Sequence, residues 1–164
     1  MKVVDEYAEG EGHLIARQLG IPVMRQRGPE TAVGEAVRYL AELPWVPLAI
    51  AANGELEWRQ LDGDSVEVAT AVAGKKAAVR FDFDRTGDIV RASCDKRPRP
   101  VGKSFAATAW SGTFADYKVL GHTRIPTWAE VSWHLPEGPF VYWRGRVTSL
   151  ELVPGVGRGA TEGE

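Results

Sequence analysis

WSGTFADYKVLGHTRIPTWAEVSWHLPEGPFVYWRGRV, residues 110–147, decides the fold. Side chains alternate in character along Trp110 to Leu120, Thr123 to Leu135 and Phe140 to Leu152, and Gly121-His122 and Pro136-Glu137-Gly138-Pro139 supply turn residues between them. Four of the six tryptophans fall in this region, together with Glu130, Arg144 and Arg146. The pattern reads as antiparallel sheet around something apolar, with charge inside or beside it.

Upstream, Leu56 to Leu61, Val66 to Val72 and Lys76 to Phe83 are separated by Asp62-Gly63-Asp64 and Gly74-Lys75 at hairpin distances. In the third, Ala77, Val79, Phe81 and Phe83 share one face, and Ala78, Arg80, Asp82 and Asp84 the other, as in a half-buried strand. Ile89 to Arg99 returns from the next hairpin, and Pro100 to Thr108 is expected as a looser connection. Before the strands, Pro29-Glu30 opens a helix over about 30–43, with Val33, Val37, Leu40 and Ala41 at helical spacing. Pro44 and Pro47 interrupt it, and Trp45 to Ala52 continues as a short apolar helical segment ending at Asn53-Gly54. His13 to Arg27 reads either as a helix broken at Gly20-Ile21-Pro22 or as two short strands, with strands preferred.

Strands this long have an apolar face to cover, and the helical region is what covers it. The expected fold is therefore α+β: a curved antiparallel meander, a half-barrel of about six to eight strands, wrapped around the helical segment at about 30–52. One domain is expected over 1–152, followed by a glycine-rich flexible tail over 153–164.

A net charge of -2 gives no electrostatic reason to expect nucleic acid. Cys94 is the only cysteine, which precludes an internal disulfide or a multi-cysteine zinc cluster. His13, His122 and His134 lack ligand-like spacing, so neither a metal nor a cofactor is expected. The N-terminus meets charge too early for a signal peptide, and the apolar stretch Pro44 to Ala52 is far short of a membrane span. These features lead to the expectation of a soluble, cytoplasmic protein.

The segments GEAVRYLAELPWVP (34–47), Arg97-Pro98-Arg99 and the 110–147 stretch together resemble a family of uncharacterised bacterial proteins of unknown function. The motifs are the Glu-x-x-Arg-Tyr-Leu-Ala-Glu helix, Trp-x-Gly-x-Phe-x-x-Tyr and Tyr-Trp-Arg-Gly. That family looks related to the curved half-barrels of lipoprotein carriers, and the likeness covers residues 3 to 152. Members carry further strands ahead of a segment like Val3-Val4-Asp5-Glu6-Tyr7. Relative to them this chain is short, which implies an exposed sheet edge near residues 1 to 20. A homodimer through that edge, or a gene fragment, would each account for it.

Glu35, Arg38, Tyr39 and Glu42 share a helix flank, ordinarily a solvated and salt-bridged one. A helix enclosed by a curved sheet would bury part of it, and a buried glutamate needs a cation. Arg97, Arg99, Arg144 and Arg146 are the donors available. Trp128, Glu130, Ser132 and His134 share one strand face, and the turn at 136–139 sets Glu130 near Arg144 or Arg146. A structural cross-strand ion pair is the plain interpretation; an anion-recognising or acid–base site lined with tryptophan is the functional one.

The leading functional expectation is a binding module. Its cavity takes a small hydrophobic or amphipathic, acyl-chain-like and anionic molecule, held by Trp45, Arg97, Arg99, Trp110, Tyr117, Trp128, Trp133, Trp143 and Arg144. The alternatives are a small enzyme using Glu130 or Glu35 as general acid or base with Tyr39, and an interaction domain without a ligand.

Overall fold

A computed structural model describes residues 28–151, together with the backbone of Lys2–Ala8 (β1), Glu11–Gln18 (β2) and Ile21–Gln26 (β3). The tail expected over 153–164 lies outside the described residues, as do the side chains of the segment in which an exposed edge is expected. Within the stretch that is ambiguous from sequence, residues 13–18 belong to β2 and 21–26 to β3, which pair antiparallel with each other.

Pro29–Glu42 forms helix α1, with proline in its first turn, where a missing N–H costs nothing, and Glu30 beside the positive end of the helix dipole. Pro44 ends it: Leu43–Trp45 tightens into a 3-10 turn, and Pro47–Ala52 starts a second short helix, α2. Val37, Leu40, Ala36 and Ala41 are buried along one side of α1.

Seven further strands follow in chain order among the described residues: Glu57–Asp62 (β4), Ser65–Val72 (β5), Lys75–Phe83 (β6), Ile89–Val101 (β7), Ser104–Leu120 (β8), Thr123–Leu135 (β9) and Gly138–Arg146 (β10). They form one open antiparallel sheet in the order β10-β9-β8-β7-β6-β5-β4, so the fold is α+β with a meander packed on a helix. Ala77, Val79 and Phe81 of β6 are buried against α1, as their alternation requires. No helix among the described residues is long and apolar enough to cross a membrane.

Residues 100–108 correct the sequence reading. They are not a loose connection: β7 and β8 continue as one long hairpin, with Arg97 opposite Thr108, Arg99 opposite Ala106 and Val101 opposite Ser104. Pro100, where the loose connection was expected to begin, and Pro98 before it are tolerated because β7 pairs with β6 only as far as Ser93. Beyond it, β7 has no ladder partner on that side among the described residues, and a proline that cannot donate breaks nothing there. Where β6 and β7 part, Val33 and Val37 of α1 reach a cavity of about 350 Å³ between them. Gly34 brings the helix against the Pro98 carbonyl, 3.7 Å from where a Cβ would stand.

Two irregularities re-aim aromatic side chains. Asp116 takes a left-handed backbone (φ 55°), steadied by Thr127 Oγ1 donating to its carbonyl at 2.6 Å. A step of three residues normally reverses the face of a strand, yet Phe114 and Tyr117 both pack on the core. A register shift between Val141 and Trp143 marks a β-bulge in β10. It turns both Tyr142 and Trp143 toward α1.

Candidate functional site

Between α1 and the β7–β10 half of the sheet lies a cleft of about 650 Å³. One wall is the α1 flank of Thr31, Gly34, Glu35, Arg38 and Glu42; the other is Trp110, Gly112 and Phe114 of β8, Val131 and Trp133 of β9, and the bulged Tyr142 and Trp143. Trp45 closes one end. Its Nε1 donates to the Pro126 carbonyl at 3.0 Å, and its ring meets Phe114 edge-on at 5.4 Å and Trp143 at 6.3 Å.

Arg97 enters this wall from β7 and is only 7% exposed. Its guanidinium carbon lies 4.9 Å from the Trp110 ring centre and 5.4 Å from that of Trp133. Tyr142 stacks on Trp133, accepts from Trp110 Nε1 at 2.8 Å, and stands 3.5 Å from Arg97 Nη1. Arg97 Nε is buried with no hydrogen-bond partner, and no carboxylate pairs with Arg97 among the described residues. Two indole faces attract a cation, but they do not satisfy its N–H groups. Thr31 Oγ1, on the facing helix, is also buried without a hydrogen-bond partner.

The carboxylates around the cleft, by contrast, have cations. Arg38 Nε lies 3.2 Å from Glu35 and 3.7 Å from Glu42, spanning one helix face. Lys75, 2.6 Å from Glu30 Oε1, holds that carboxyl below the ordinary glutamate range, chiefly through the hydrogen bond. Glu35 is buried and Glu42 exposed, so the charged flank of α1 is solvated at one end only.

Of the site residues put forward from sequence, Trp45, Arg97, Trp110, Trp133, Trp143, Glu35 and Glu130 line this cleft. Glu130 belongs to the β9 stretch that walls it. Ala129 and Val131 pack on the core, and alternation sends the Glu130 carboxylate to the other face of the sheet. There it sits directly opposite Arg144, Nε to Oε2 at 2.5 Å. Trp128 pairs with Ala115 and Arg146 on that same face. Arg99 is bonded through Nε to Thr108 Oγ1 at 3.2 Å. The Tyr39 hydroxyl accepts from Asn53 Nδ2 at 2.8 Å.

Tyr117 donates to the Ile89 carbonyl at 2.8 Å beneath the Arg124 guanidinium, and burial pushes its phenol well above the ordinary tyrosine range. Cys94 is held above the ordinary thiol range by burial, which suits an inert side chain rather than a nucleophile. His134 Nε2 lies 2.8 Å from Ser111 Oγ on the face away from the cleft. No cluster of metal-ligating side chains occurs among the described residues.

Phe114, Tyr142 and Thr31 join the site without having been singled out from sequence. The Trp-x-Gly-x-Phe alternation carries Phe114 onto the side of Trp110. Tyr142 has no such signal, because regular alternation sets it opposite Trp143.

No curated protein matches the chain, and no solved structure does. Residues 1–145 match a family of unknown function, DUF6544, and the chain belongs to that family.

Proposed function

We propose that this protein binds a small amphipathic anion, with an acyl-chain-like apolar part, in the cleft between α1 and β7–β10. The observation that carries the reading is Arg97: a buried cation between two indoles, with no carboxylate partner among the described residues, on the aromatic sheet wall of the cleft. Burying an unpaired charge is costly, and a ligand anion would supply the missing partner. The cleft volume lies in the range that encloses small ligands, and the aromatic sheet wall suits an apolar chain. In this reading the sheet curves about α1 as a half-barrel of the lipoprotein-carrier kind, and the cleft is its concave side.

An acid–base enzyme would use Glu130 or Glu35 as its acid or base with Tyr39, and Tyr39 is not among the residues that line the cleft. The Glu130 carboxylate faces away from the cleft in its pair with Arg144, Tyr39 is bonded to Asn53, and Glu35 lies beside Arg38. Binding therefore asks less of the geometry than catalysis.

Native mass spectrometry of the gently purified full chain, followed by organic extraction, tests the proposal. An amphipathic anion at one per chain is the expected result. A ligand-free mass, with no mass gain on addition of saturated fatty acids, would remove it.

A further inference from the structure

We infer that the ligand is a monoanion, best a carboxylate, bound with its head at Arg97 and Thr31 and its apolar chain along Trp45, Phe114 and Trp143. The inference rests on the binding reading above and gives it a charge and a direction.

The charge follows from the ion pairs. Glu30 has Lys75, and Arg38 is drawn to both Glu35 and Glu42, so Arg97 is the cation of the wall with no carboxylate of its own among the described residues. One guanidinium matches one negative charge, and a planar carboxylate can take two parallel bonds from it. A dianion would bring a second charge to a wall already rich in glutamate, with no uncommitted cation among the described residues of that wall to meet it.

The direction follows from the polar atoms. Thr31 Oγ1 and Arg97 Nε are both buried without partners. Thr31 shares the α1 face of Gly34, which packs on Pro98, the neighbour of Arg97. The two therefore mark one polar end. At the other, Trp45 has its indole N–H engaged by Pro126 and turns only ring surface toward Phe114 and Trp143. A carboxylate at that end would find no comparable donor.

The test is equilibrium titration of the full chain with dodecanoate, methyl dodecanoate and dodecyl phosphate, followed by tryptophan fluorescence. Dodecanoate is expected to bind about tenfold or more tighter than its neutral ester, the gain of one charge-assisted pair, and tighter than the phosphate. Arg97→Met should abolish the preference for acid over ester while ester binding persists. Arg97→Lys, which keeps the charge but loses the fork, should retain part of it, and Thr31→Val should weaken the acid alone. Dodecanoate brominated at its last carbon should quench less in Trp143→Phe, where Trp45 alone remains at that end, and as much as before in Trp133→Phe.

Equal affinity for acid and ester would overturn the charge assignment and leave the binding reading standing. Tighter binding of the phosphate would overturn the monoanion, and the reverse quenching pattern would overturn the direction. Failure of all three probes to bind would instead overturn the binding reading itself.

Discussion

Gly145 lies directly beneath the Trp143 indole, so that a Cβ built on it would overlap Cζ2 and Cη2 of the ring. The Tyr-Trp-Arg-Gly motif thus has a steric meaning: the bulge aims Trp143 at the cleft, and the glycine two residues on leaves room for the ring to lie flat. Gly145→Ala is expected to push the indole off its contact with Trp45 and weaken ligand binding severalfold. The stability cost should be about 1 kcal/mol, because the ring is partly exposed and can move. Trp143→Ala combined with Gly145→Ala should bind no worse than Trp143→Ala alone, a non-additivity that a double-mutant cycle measures.

Arg97→Met is expected to leave stability unchanged or raise it by about 1 kcal/mol, since a buried cation without a carboxylate is replaced by an apolar chain of similar length. Denaturant melts at neutral pH check this. A loss greater than about 2 kcal/mol would mean that Arg97 serves the fold through its two indole contacts rather than a ligand.

Tyr117 governs the alkaline limb. Its folded phenol titrates above its unfolded value, so the stabilisation is complete below the ordinary tyrosine range and is lost as pH rises through and beyond it. Tyr117→Phe should cost about 1 kcal/mol at neutral pH, through the lost bond to Ile89. It should also flatten the decline of the melting temperature at alkaline pH, and an unchanged alkaline slope would sink the assignment.

Glu130→Gln should lower stability by less than about 1 kcal/mol, because its partner Arg144 is 63% exposed and such pairs are screened. Affinity for amphiphiles should not change. A large loss of binding would place the carboxylate in the cleft after all.

The core and the hairpin register were legible because local rules set them. Period-two alternation in β6 and the helical spacing of Val37, Leu40 and Ala41 each named side chains that are buried. The turn at 136–139 narrowed the partner of Glu130 to Arg144 or Arg146, and Arg144 is the one opposite it. What escaped depends on long-range context. Pro100 reads as the start of a loop unless it is known that one side of its strand lacks a partner, and the β10 bulge that turns Tyr142 has no local signature. That Arg97 has no carboxylate partner among the described residues is a property of the assembled walls. Sequence offered four arginines as equals; packing distinguished one.

A crystal structure of the full chain soaked with dodecanoate shows where the head group rests. The carboxylate is expected within about 3 Å of an Arg97 nitrogen, with the chain lying against Trp45 and Trp143. A cleft holding only water, with the fatty acid elsewhere or absent at saturating concentration, would contradict this placement.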